Sequence, residues 1–256
     1  MNLEETKNFI VKWIKRYAQD NSIETLTVGI SGGIDSALTS KLCALTEIKT
    51  IVVSMPIHQK ELELKNANLH INLLTKEHKN VQKEYIDLSS LFENYKTTIP
   101  TKFHSHLSLA NSRARIRMTA LYQIAGSKNG LVVGTGNKVE DFGIGFFTKY
   151  GDGGVDISPI ADLSKSEVRK LAKYCQIHSD IISTPPTDGL WQDGRTDEDQ
   201  IGATYEELEW AMDYDNGDQL TKRQIEVLSI FNKFRINNKH KTEPIPVCYI
   251  PKHLKT

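Results

Sequence analysis

The chain has 256 residues, and its 32 lysines and arginines balance 32 aspartates and glutamates, so the formal net charge is zero. That balance removes the bulk field by which a protein gathers DNA, RNA or anionic lipid, and the length favours one α/β body over two small ones. Three scattered cysteines, Cys43, Cys175 and Cys248, form no C-x-x-C pair, which argues against a zinc ribbon or disulfide framework and suits a reducing cytoplasm. Residues 1–20 lack a signal-peptide core, and no apolar run approaches the roughly 18 residues of a membrane span.

Taken in chain order, Phe9, Ile10, Trp13, Ile14 and Tyr17 fall on one face of an amphipathic helix. LTVGI (26–30) then reads as a buried strand stopped by glycines, and IDSALTSKLCALT (34–46) as a helix. TIVVSM (50–55) is a second strand, 60–76 a helix, NVQKEYIDL (80–88) a third and more polar strand, 109–125 a long helix and GLVVGT (130–135) a fourth strand. Alternating strands and helices predict a doubly wound, mostly parallel α/β sheet with helices on both faces. Beyond it, 143–163 is glycine-rich and irregular, 164–175 is a capped helix, 183–203 is a long loop, and helices near 204–213 and 221–236 close the chain. Apolar stripes on the first helix and on 107–125 are either core or a symmetric interface.

In such a sheet ligands lie beyond the carboxyl ends of the strands. That places Ser31-Gly32-Gly33-Ile34-Asp35-Ser36 after the first strand, MPIHQ after the second and GTGNKVED after the fourth on one edge. The first segment is lined by small residues and opens a helix, so its backbone N–H groups and the helix dipole suit an anion, phosphate above all. Neither G-x-x-x-x-G-K-[ST] nor G-x-G-x-x-G is present. Asp35 would repel a polyphosphate unless a divalent cation lay between them, which implies Mg²⁺. The alternative is that Asp35 only stabilises the first helical turn.

The SGGIDS turn resembles the pyrophosphate loop of the N-type ATP pyrophosphatases. In order with NSRARIRM (111–118), GTGNKVED (134–141), GFFTKYGDGG (145–154), the lysine of LSKSEV, PPTDGLW (185–191) and His240-Lys241, it is similar to ammonia-dependent NAD synthetase over nearly the whole chain. The resemblance implies an adenine nucleotide alpha hydrolase-like fold spanning 1–256 and a ligase activity in NAD biosynthesis. In that reaction ATP adenylates the carboxylate of deamido-NAD, pyrophosphate leaves, and ammonia displaces AMP to give NAD.

By the same resemblance, Gly29, Ser31, Gly32, Gly33, Ser36, Arg115, Thr135, Lys165 and Thr187 bind ATP, with Asp35, Lys165 and Thr187 the catalytic groups. Asp35 and Glu140 hold Mg²⁺, and Phe147, Lys149, Asp152, His240 and Lys241 face deamido-NAD. No separate glutaminase precedes the first helix, so free ammonia is the expected nitrogen source, and the family implies a homodimer.

Read without the resemblance, Glu140, Lys165 and the arginines of 113–117 are equally a solvated surface, Thr187 a turn cap, and the aromatics of 146–150 core. The 183–203 loop with Trp191 is either a water-excluding lid or a plain connection. Two features depart from the family: Asn66-Ala67 stands where many relatives have an acidic residue before the alanine, and GTGNKVEDFGIGFF is one residue longer than the spacing in some relatives, leaving the assignment of 141–146 open. The competing functions are a ligase acting on a purine nucleotide or tRNA, and a nucleotide-binding module without chemistry.

Overall fold

The computed structural model describes residues 1–187, 196–215, 217 and 219–255. Four parallel strands, β1 (Thr25–Gly29), β2 (Lys49–Ser54), β3 (Val81–Tyr85) and β4 (Gly130–Val132), form a sheet in the order β3-β2-β1-β4. The chain runs outward from β1 to β3 and then returns to β1's other side, so the order reverses between β1 and β4. That switch point opens a crevice at the carboxyl ends of these two strands. Residues beyond it extend the edge, where Val133 makes a parallel bridge to Ile157.

Side-chain alternation along β2 sends Val52 to one face and Ile51 and Val53 to the other. The first face is covered by α1 (Leu3–Asp20), α2 (Ile34–Leu45), α3 (Glu61–Glu77), α6 (Lys165–Tyr174) and α7 (Ser179–Ser183), through Ile14, Leu38, Leu42, Ile71, Val168, Leu171 and Ile181. The second is covered by α4 (Ser89–Thr98) and α5 (His106–Gly126), through Phe92, Met118 and Leu121. A third cluster joins a π-helical turn (Val139–Ile144) to α8 (Asp197–Ile201), α9 (Tyr205–Asp213) and α10 (Lys222–Thr242) around Ile144, Tyr205, Leu208, Val227 and Phe231.

The doubly wound architecture expected from the pattern is present, with several differences in detail. On α1 the buried stripe is Ile10, Ile14 and Ala18, while Phe9 is 71% exposed and Trp13 40%. A strict four-residue spacing therefore decides the inward face, and the neighbouring aromatics lie outside it. The third strand ends at Tyr85, and 89–98 is a helix anchored by Phe92. The segment 183–203 contains α8, capped by Thr196, and Trp191 with its lid role lies outside the described residues.

Residues 139–144, where the sequence left the assignment open, wind as a π turn. It ends at Gly145 with φ +63°, a left-handed conformation that suits glycine, and a Cβ there would run into Asn238 of α10. The turn is thereby clamped between the sheet edge and the last long helix.

Candidate active site

The crevice at the switch point is a cavity of about 620 Å³. Its floor is the Ser31–Ser36 loop. Gly33 is the N-cap of α2, and no side chain caps that end, so the first N–H groups of the helix remain available to an anion. Gly32 has φ +94°, and a Cβ there would strike the Glu63 carbonyl, so both the bend and the packing of α3 against the loop require glycine. Ser31 and Ser36 brace the loop from within: their hydroxyls lie 3.1 Å apart, Ser31 Oγ accepts from Gly33 N at 3.2 Å, and Ser36 Oγ donates to the Gly33 carbonyl at 3.0 Å. Ser36 is buried, so its hydroxyl shapes the cradle.

Beside the loop three charged side chains converge. Lys165 Nζ donates to Asp35 Oδ2 at 2.6 Å and to Glu140 Oε1 at 3.0 Å. The lysine side chain is 1% exposed, whereas Asp35 and Glu140 keep 17% and 18%, so the carboxylates look into the cavity and the ammonium is enclosed. Each residue is placed by a local device. Asp35 sits in the first turn of α2; Glu140 follows Asn137, whose Oδ1 accepts from the backbone N–H of Val139 and Glu140; Lys165 is the first residue of α6, after the Ser164–Glu167 capping box. Asn137 also donates to Asp35 Oδ1 at 3.2 Å, and Tyr205 Oη donates to Glu140 Oε1 at 2.5 Å.

The electrostatics of the two carboxylates differ. Burial pushes the Asp35 carboxyl upward, against the opposing pull of Lys165. Burial acts on Glu140 too, but Lys165, Tyr205 and Asn137 together hold it below its ordinary value. Lys165 is pushed up: burial lowers it, but Asp35 and Glu140 outweigh that, so it stays charged. Two carboxylates and one ammonium leave a net negative charge facing the loop, and Asp35 is the less compensated of the pair. The cavity wall also holds Asp141, pushed up to about 8 by burial with Glu140, Asp152 and Asp35 beside it and so mostly neutral at pH 7, and Asp152, raised by burial. Such a surface accepts a polyphosphate only in company with cations.

Of the residues expected at the site, Gly29, Ser31, Gly32, Gly33, Asp35, Ser36, Thr135, Glu140, Phe147, Asp152, Lys165, Thr187 and Lys241 line this cavity. Arg115, Lys149 and His240 do not. They form a chain at its rim, where Arg115 Nε donates to the Lys149 carbonyl at 3.2 Å and Lys149 Nζ to the His240 carbonyl. Lys241 reaches back to the Gly145 and Phe147 carbonyls at 2.9 and 2.8 Å and lies over the Phe147 ring.

Among the described residues the arginine that lines the cavity is Arg117, fixed by the Met55 carbonyl at 2.9 Å and Gln59 Oε1 at 2.8 Å, its guanidinium drawn down to about 10 chiefly by burial. Helical spacing carried a signal for it. Arg117 lies four residues before buried Leu121 and seven after buried Ala110, whereas Arg115 falls off that stripe. Asn66, the departure noted in the sequence, is buried on α3 and donates to Thr184 Oγ1 at 3.0 Å. It ties α3 to the segment carrying Thr187.

The NAD synthase family profile matches residues 6–244. The NH3-dependent NAD+ synthetase of Methanococcoides burtonii is 38% identical over 211 residues, 82% of this chain and 78% of its own. That of Syntrophomonas wolfei is 31% identical with both chains covered in full. Among solved structures, an NMN synthetase from Francisella tularensis superposes with a TM-score of 0.87 at 30% identity, covering 98% of this chain and 99% of its own. An NH3-dependent NAD synthetase from Campylobacter jejuni superposes with a TM-score of 0.75 at 25% identity, covering 97% and 100%. With its Ser31–Ser36 loop at the sheet's switch point and these likenesses running along nearly its whole length, the chain belongs to the NAD synthase family.

Proposed function

We propose that the chain is an ATP-dependent amide ligase that converts deamido-NAD and ammonia to NAD, AMP and pyrophosphate. The observation that carries this reading is the junction of the Ser31–Ser36 cradle with the Asp35–Lys165–Glu140 cluster in one cavity. A carboxylate oxygen of the substrate attacks the α-phosphorus and pyrophosphate departs. Ammonia then attacks the acyl carbon, AMP leaves, and the nitrogen sheds a proton. No protein nucleophile is required, so the protein's part is positioning and charge compensation.

Asp35 and Glu140 fit a magnesium site: they come from separate segments, converge on one cationic atom and open toward the cavity. Mg²⁺ there would neutralise the β- and γ-phosphates. Lys165, bonded to both carboxylates, and Arg117 also line the cavity and supply positive charge to it. Phe147, Asp152 and Lys241 line the part of the cavity that receives the nicotinate side, with Arg115, Lys149 and His240 at its mouth. The chain is further proposed to act as a homodimer in the cytoplasm; among the described residues no helix is long and apolar enough to cross a membrane.

A second reading is favoured by the likeness to the Francisella tularensis NMN synthetase: the same amidation performed on the mononucleotide acid. The two acids share the reacting nicotinate and ribose phosphate, so the cavity chemistry is common to both. Purified protein with ATP, Mg²⁺ and ammonium, offered deamido-NAD or nicotinate mononucleotide, separates them. NAD formed at the higher kcat/KM supports the first reading, NMN the second, and AMP release with neither sinks both.

A further inference from the structure

Glu140 is held by a hydroxyl that arrives from a different part of the molecule. Tyr205 opens α9 after the Thr204–Glu207 capping box, and its ring is fully buried in the third core cluster with Leu208, Val227 and Phe231. A tyrosine so enclosed needs a partner for its O–H. Tyr205 Oη lies 2.5 Å from Glu140 Oε1 and 3.3 Å from Asp197 Oδ2, and having a single proton it gives it to the nearer oxygen. The ring also lies under the Lys165 ammonium, 4.9 Å from its centroid. One side chain of the helical cluster thus touches two of the three charged groups beside the phosphate loop.

We propose that Tyr205 is a positioning residue for this site, whose hydroxyl fixes the Glu140 carboxylate in the orientation that receives the divalent cation accompanying ATP. The inference rests on the reading given above for the cation's identity, and on geometry for everything else. Core packing alone accounts for the ring and leaves the hydroxyl unexplained, since phenylalanine would fill the same space. The hydroxyl has value because the other donor to Glu140 Oε1, Lys165 Nζ, is shared with Asp35. The O–H gives that oxygen a donor of its own.

Tyr205→Phe retains the ring and deletes the hydrogen bond. The readout is Mn²⁺ affinity of the protein with a non-hydrolysable ATP analogue, followed by electron paramagnetic resonance, beside the Mg²⁺ dependence of turnover and a thermal melt. Loss of a hydrogen bond to a charged group is expected to weaken Mn²⁺ binding and raise half-saturating Mg²⁺ about tenfold, with a melt that is lowered but stays cooperative. In a Glu140→Gln background the same substitution adds no further weakening. An unchanged metal affinity, with or without a lowered melt, overturns the proposal, as does a wild-type protein that binds no Mn²⁺ with the nucleotide. Because the binding assay contains neither deamido-NAD nor ammonium, a failure of the ligase reading shows separately, as absent amide product in a protein that still binds the metal nucleotide.

Discussion

The Ser31–Ser36 cradle and the carboxylate cluster beside it are built in opposite ways. The cradle is six consecutive residues, Ser31–Ser36, whose shape follows from a strand end, a glycine at φ +94° and a helix start. The cluster is assembled across as many as 130 residues, from α2, the π turn and α6, with Tyr205 of α9 behind it. A local motif carries its geometry in its own backbone. A distributed one depends on packed helices and buried charge to hold atoms within hydrogen-bond distance, so each part is expected to fail differently when broken.

The largest effect is expected at Lys165, where Lys165→Met leaves Asp35 and Glu140 facing each other with no cation between them. Turnover should vanish and denaturant melts should show a loss of about 3 kcal/mol, because removing one member of a buried ion cluster strands the others. Adding Asp35→Asn should recover part of that stability but no activity. Full stability in the single mutant would mean that the cluster is not coupled to the fold.

Gly32→Ala probes the local part. It forces a left-handed residue to carry a Cβ into the Glu63 carbonyl, and should cost about 1–3 kcal/mol in a urea titration while weakening ATP binding measured by calorimetry. If ATP binding is unchanged, the loop is not the phosphate site.

An effect confined to acid pH belongs to His70, buried under α2, where its Nε2 meets Ser40 Oγ at 2.8 Å. Burial, with Lys41 nearby, lowers the ring from 6.5 to about 4, so it is neutral in the folded protein. Its folded value lies below the unfolded one; the stability it contributes is therefore complete above pH 6.5 and lost as pH falls toward 4. Across that window the melt should shift with a slope of about 1.4 kcal/mol per pH unit, and His70→Gln should flatten it. An unchanged slope in the mutant would assign the acid limb to other groups.

The same division explains how much could be read before the fold was known. Alternating apolar runs and glycine stops exposed the doubly wound sheet, and SGGIDS marked the tight strand-to-helix turn, because both are local patterns. Glu140 and Lys165 entered only through resemblance; by residue type alone each is as readily a surface charge. Tyr205 reads as an ordinary helix-start residue after a threonine cap, and its hydroxyl acquires a role only when α9 folds back 65 residues in sequence from Glu140. The π turn was not legible, because the segment's path depends on α10, whose Asn238 packs at Gly145 and donates to the Ile144 carbonyl.

The central claim is that Asp35, at the start of α2, carries the cation that lets ATP phosphates rest on the Ser31–Ser36 cradle. Initial rates of NAD formation from deamido-NAD, ammonium and ATP at saturating Mg²⁺, compared for the wild type and Asp35→Ala, test it most directly. The mutant keeps the Lys165–Glu140 pair, so its melt should stay cooperative while its rate falls at least about a hundredfold. A folded mutant turning over at the wild-type rate would contradict the account.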